Sequence, residues 1–316
     1  MRNKAEAWAG PEGAGAAEKH GMLRRSNEPE GGVAIKQRGM FRQILDRLVR
    51  NRSAMIGFCL LMAIVLLCLL APVIAPEGYN AQNLTEKFLT PSFRHLCGTD
   101  NLGRDIFARI LYGGQVSLFI GLVSTGFSAA AGIVFGLFVG YYGGKADNVG
   151  MRVMDILMSI PAILLAITIA AALGSGISST IVAIGISSIP IFARLTRAPI
   201  IQLKNEEYID AARAINASKL RIMFRHLLPN ILSPLIVQIT INVALSIMLA
   251  AGLSFLGLGV QPPNPEWGAI ITSAKVYIID HSYMVTMPGI AMALTVIALN
   301  LFGDGLRDCL DPRLKI

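Results

Sequence analysis

The stretch AMIGFCLLMAIVLLCLLAPVIA, residues 54–75, contains no Asp, Glu, His, Lys or Arg. A bilayer core takes roughly 20 apolar residues per helix, so this run reads as a membrane span. Five further segments match it, at about 117–142, 155–174, 177–195, 231–258 and 284–303. Their only ionisable side chains of that kind are Asp155, in the first turn of the third span, and Arg194, at the end of the fourth. The third and fourth spans are short and joined by Gly174-Ser175-Gly176, which predicts a hairpin. Pro161 and Pro190 are expected to kink them, with neighbouring helices satisfying the freed carbonyls.

Composition agrees with this reading. The chain has 316 residues, 53% hydrophobic and 15% charged, with a mean hydropathy of +0.57. A soluble globular protein carries about 25% charged residues. A disordered chain is excluded and an ordinary soluble enzyme is disfavoured. The fold class is an all-α polytopic membrane protein with six transmembrane helices.

Six spans put both termini on one side, and the charge distribution says which. With both ends cytoplasmic, 23 of the 28 Lys and Arg residues fall inside and only Lys87, Arg94, Arg104, Arg109 and Lys275 outside. That asymmetry is the positive-inside signature. It accounts for the net charge of +8 without any nucleic-acid partner. No cleavable signal peptide is expected, because the first apolar run starts too far in and is too long.

Cys59, Cys68, Cys97 and Cys309 form no CxxC pair. His20, His95, His226 and His281 are scattered, so no metal site is expected. The hydrophobic centres hold no Asp, Glu, His or Lys, which weighs against proton or ion coupling within the membrane. A transporter built from such spans must draw its energy from elsewhere.

Two polar or small-residue patterns stand out in the spans. Gln238, Asn242 and Ser246 recur at i, i+4 and i+8 and share one helical face. They read either as the hydrogen-bonding wall of a permeation path or as glue between helices. Gly132, Gly136 and Gly140 form two overlapping GxxxG steps suited to close helix packing.

The boundaries predict five regions. Residues 1–35 are a disordered cytoplasmic tail. Residues 36–90 hold a basic amphipathic helix (Met40 to Arg52), the first span and the start of an outside loop. Residues 91–116 form an outside elbow, residues 117–305 the membrane core, and residues 306–316 the cytoplasmic C-terminus. In the elbow, Gly98-Thr99-Asp100-Asn101-Leu102-Gly103-Arg104-Asp105 runs into Ile106, Phe107, Ile110 and Leu111. Thr99 or Asp100 is expected to cap a short helix lying on the membrane.

The cytoplasmic loop at 196–230 is far longer than a turn needs. Tyr208, Ala211, Ala212 and Ile215 fall on one stripe, with Glu206, Glu207, Asp210 and Arg213 facing away. The acids suit the positive end of a helix dipole. Asn216-Ala217-Ser218 interrupts, Ser218 can cap a second helix from Lys219 to Leu228, and Pro229 is expected to end it. The shape is a docking element or an interfacial helix pair lying on lipid.

Residue identity favours docking. The string from Tyr208 to Ser218, followed by Phe224-Arg225-His226-Leu227-Leu228-Pro229-Asn230, resembles the EAA loop of ABC importer permeases. Asp210 stands where that family has Glu, which keeps the charge. Asn216 stands where it has Gly, and Asn tolerates the positive φ that such a turn requires. Gly98 to Asp105 resembles the GTDxxGRD signature of the peptide and nickel branch, although Gln115 replaces a common Arg. Leu253 to Pro263 with Trp267-Gly268, and Asn300 to Asp308, are similar to the same branch.

This resemblance, over roughly 38–313, implies a type I ABC importer permease fold and the C-type permease subunit of a dipeptide or oligopeptide importer, in the bacterial plasma membrane. It also implies a homologous second permease, two ATP-binding subunits and an extracytoplasmic substrate-binding protein. The coupling loop (Glu207, Tyr208, Asp210, Ala211, Ala212, Arg213, Asn216, Ala217, Ser218, Leu228, Pro229) would then meet an ATPase. No GxxxxGK[ST] loop occurs, the nearest string being Gly143-Gly144-Lys145-Ala146. ATP and magnesium are therefore expected on the partner subunits, with no cofactor and no catalysis in this chain. A nickel or small-solute permease is the rival within the architecture; a membrane sensor or scaffold is the rival outside it.

Overall fold

The computed structural model describes residues 46–310. The expected tail at 1–35, most of the amphipathic helix before residue 46 and the last six residues lie outside the described residues; residues 46–50 are helical. Nine principal helices follow: α1 (Arg52–Leu69), α2 (Ile106–Tyr142), α3 (Gly144–Ser159), α4 (Ala162–Leu173), α5 (Ile177–Leu203), α6 (Glu207–Ala214), α7 (Leu232–Phe255), α8 (Trp267–Ala274) and α9 (Tyr283–Leu310). Five segments are long and apolar enough to cross a membrane alone, and the bent pair α3–α4 meets the same measure only when counted as one span, which makes six. Helices are the expected solution in lipid, because each satisfies its own backbone hydrogen bonds.

The largest interhelical contact is between α2 and α5, and it rests on absent side chains. A Cβ at Gly132 would come within 2.6 Å of the Ile189 carbonyl oxygen, and one at Gly136 within 2.5 Å of the Ala193 oxygen. At Gly140 it would meet Ile200 at 3.0 Å. Three glycines one turn apart thus let the backbones touch along a seam. α1 packs on α9, and α7 is held between α9 and α2.

Four expected boundaries are corrected. The second span begins at Ile106, not near 117: the apolar residues expected to form a separate short helix wind directly into it, so 91–116 is not an independent elbow. Its cap is Asp105, whose Oδ1 accepts from the Ala108 N–H at 2.9 Å, rather than Thr99 or Asp100. The third span is not one helix over 155–174. It breaks at Ile160-Pro161 with a 91° bend, because proline lacks the N–H and clashes with the preceding turn. The fourth span runs on to Leu203 and keeps both Pro190 and Pro199 within it, so the long loop begins about two helical turns later than expected.

The Gly98–Asp105 string is folded around a buried charge. Asp100 is 3% exposed. Its Oδ1 accepts from the backbone N–H groups of Leu102 (2.8 Å) and Arg104 (3.0 Å), and its Oδ2 from Arg104 Nε and an Arg109 terminal nitrogen, each at 2.6 Å. Thr99 accepts from Leu89 N–H and donates to the Glu86 carbonyl. Gly98 and Gly103 both have positive φ, and a Cβ on Gly103 would lie 1.7 Å from the Asn83 oxygen. These residues brace the start of α2. Gln115, the departure from the family pattern, donates to the Cys68 carbonyl at 2.6 Å and so ties α2 to α1.

Two outcomes test this packing. Gly136→Leu forces side-chain atoms into the α5 backbone and should cost at least about 1–3 kcal/mol, read as a lowered melting temperature in detergent. Gly126→Ala, where nothing lies within 4 Å, should leave that temperature unchanged. Asp100→Asn removes the counter-charge of two buried guanidinium groups and should destabilise by about 3–5 kcal/mol, with faster proteolysis of the 76–105 segment.

Candidate functional site

The loop between α5 and α7 folds into a short helix with two faces. Inward, Ile209 (0% exposed) and Ala212 (5%) pack in a core with Leu137 of α2, Ile200 of α5 and Ile222, Leu227, Ile231 and Leu235 at the start of the fifth crossing. Outward, Tyr208, Ala211 and Ile215 are exposed, Ile215 by 81%. This corrects the expected stripe. Tyr208, Ala211, Ala212 and Ile215 do not share the packed face; Ala212 alone of them turns inward, and Ile209 is its partner at i, i+3. The signal was present in the spacing but weak, because an eight-residue helix offers two apolar stripes.

The helix ends as the sequence requires. Asn216 adopts φ 58°. The Ala217 N–H bonds the Ala212 carbonyl and the Asn216 N–H bonds the Arg213 carbonyl, which is the Schellman pattern with a left-handed residue at its hinge. Ser218 Oγ then accepts from Arg221 N–H. Beyond that cap the structure departs from expectation. Pro229 does not end the segment: an α turn (Lys219–Arg221), a π turn (Ile222–Leu227) and a 3₁₀ turn (Leu228–Ile231) lead directly into α7. Pro229 sits in the first turn of the 3₁₀ piece, where a missing N–H costs least.

Polar side chains fix the helix to its platform. Arg213 donates to Asp210 at 2.8 Å and to the Lys204 carbonyl, at the end of α5, at 3.0 Å. Lys204 donates to the Gly140 carbonyl of α2. Asn230 donates to the Tyr208 hydroxyl at 3.3 Å, and partial burial, with the Glu206 carboxylate adding, pushes that phenol above its usual range. Glu207 and Asp210 stay exposed in the first turns, and Leu228 is half-buried beside the core. The inner face of α6 thus shares one core with residues of α2, α5 and the start of the fifth crossing.

The polar face of α7 divides. Asn242 (2% exposed) donates to Thr125 Oγ1 at 3.3 Å, and Ser246 (1%) lies 3.1 Å from the same hydroxyl. Both are consumed in the α7–α2 contact and are not the open wall of a path within this chain. Gln238 lines a cavity of about 420 Å³ with Leu195, Ser233, Val237, Ile241 and Arg307. Glu266, fully buried, escaped the sequence reading: it caps α8 through the Gly268 and Ala269 N–H groups and accepts from Ser117. Among the described residues no three His, Cys, Asp or Glu side chains cluster to hold a metal.

Residues 132–316 match the model of the binding-protein-dependent transport system inner membrane component, and residues 39–91 that of the N-terminal transmembrane domain of oligopeptide transport permease C. A putative peptide transport system permease protein of Brucella suis is 48% identical, over 85% of this chain and 91% of its own. A di/tripeptide transport system permease protein of Pseudomonas aeruginosa is 41% identical over 92% and 97%. A glutathione transport system permease protein of Escherichia coli is 44% identical over 85% and 89%. The fold is that of an inward-facing MetNI methionine ABC transporter structure, with a TM-score of 0.54 at 20% identity over 64% of this chain and 96% of the other. The chain thus belongs to the binding-protein-dependent transport system inner membrane components, the permease subunits of ABC importers.

Proposed function

We propose that this chain is one of two permease subunits through which di- or oligopeptides enter a bacterial cell by alternating access, with both termini on the cytoplasmic side of the plasma membrane. The observation that carries the reading is the two-faced helix α6. One face is buried in a core shared with residues of three membrane-crossing segments, and the other presents Tyr208, Ala211 and Ile215 to solvent. A partner that changes shape on ATP binding can grip the outer face and move the inner one. Energy supply from outside the chain also fits spans whose centres carry no acid, histidine or lysine.

Peptides are the favoured cargo because relatives at 41–48% identity over most of the chain are named for peptides, di/tripeptides or glutathione. The partners of this reading are a homologous second permease, two ATP-binding subunits that hold ATP and magnesium, and a substrate-binding protein outside. On this reading the Gly98–Asp105 fold faces the substrate-binding protein, and the 204–230 segment faces an ATPase.

Ile215→Arg places a charge on the exposed face without disturbing the buried one. In the assembled complex it should lower substrate-stimulated ATP hydrolysis at least tenfold while the subunit inserts and melts normally. Unchanged stimulation would remove the coupling role. Ala212 is the wrong probe for this experiment, since a large side chain there would unseat α6 from its platform.

A further inference from the structure

The third crossing is discontinuous. α3 and α4 meet at 91°, and α4 has 12 residues, about 18 Å at 1.5 Å per residue. The hydrocarbon core is roughly 30 Å thick. The far end of α4 is the 174–176 turn into α5, at the outer surface in the orientation proposed above. The break at Ile160-Pro161 therefore falls well inside the bilayer. Ser159, Ile160 and Pro161 are all exposed there. Backbone outside helical pairing is tolerated at such depth only against protein or beside a water-filled cavity.

A second observation points to the same place. Arg194 lies about 25 Å along α5 from its outer end at 1.5 Å per residue. It donates to Asp155 Oδ1 at 2.6 Å, and the two side chains are 50% and 49% exposed. Arg194 is thus about 5 Å short of the inner boundary of a roughly 30 Å core, and half-exposed charges at this inner edge face a bundle interior or water rather than acyl chains. Asp155 and Ser159 are four residues apart on α3, hence on one face. The neighbouring pair of Arg197 with Asp147 is more sheltered, at 30% and 11%.

We infer that the broken third crossing lines the translocation pathway, with Asp155, Ser159, Pro161 and Arg194 forming this subunit's share of its wall. The assignment rests on the transport reading above. It also gives the open ion pair a role. A carboxylate and a guanidinium held together by a solvent-accessible contact bind each other weakly. Each can exchange onto the oppositely charged end of a zwitterionic peptide, Asp155 accepting from the ammonium and Arg194 donating to the carboxylate.

The test uses the assembled transporter in proteoliposomes, with Cys59→Ala and Cys97→Ala leaving only the buried Cys68 and Cys309. Ser159→Cys, or Ile160→Cys should the first not assemble, is treated from both sides with a charged, membrane-impermeant methanethiosulfonate. Met62→Cys on the exposed side of α1 is the apolar reference. We expect the break to label at least tenfold faster than the reference, and saturating dipeptide with its binding protein to slow labelling several-fold. Equal rates, or labelling that dipeptide leaves unchanged, would overturn the assignment. ATP-driven dipeptide uptake by the wild-type complex is measured in the same vesicles. Loss of that uptake defeats the transport reading itself, whereas intact uptake with equal rates defeats only the wall.

Discussion

Close backbone contact between α2 and α5 is the constraint on which the rest of the molecule depends. Lipid tails are as apolar as leucine, so no hydrophobic drive pulls helices together inside a membrane. What remains is dispersion between surfaces that fit, and the Gly132–Gly136–Gly140 seam brings main chain within reach of main chain. The seam also sets where the two helices end. At its inner end Gly140 meets Ile200, and Leu137 and Ile200 share a core with Ile209 and Ala212 of α6.

The short helix α6 rests on that platform. α6 is too short to be stable alone, so its structure is borrowed from the spans it rests on. The hydrogen bonds from Arg213 to the end of α5 and from Lys204 to the end of α2 close the joint. Family membership puts this geometry in a permease and sets aside the sensor or scaffold reading.

Charge is handled differently at the two ends. Asp100 accepts four hydrogen bonds, two of them from the Arg104 and Arg109 guanidinium groups, a fixed structure that braces α2. Asp155 and Arg194 share a single contact and half their surface. The first arrangement is costly to disturb and the second is not.

Much of this was legible beforehand. Hydropathy gave the crossings, because lipid allows few alternatives to an apolar helix, and the turn chemistry of Asn216 and Ser218 is local enough to read from residue type. What the linear order left open was decided by packing. Which apolar stripe of α6 turns inward depends on Leu137, Ile200 and Ile231, residues far away in the chain. Asn242 and Ser246 became helix contacts because Thr125 stands opposite them, and Asp155 found Arg194 only once α3 had bent at Pro161. Local rules specify a helix and its ends; the neighbours that each face meets belong to the tertiary fold, since helical periodicity names a face without naming what covers it.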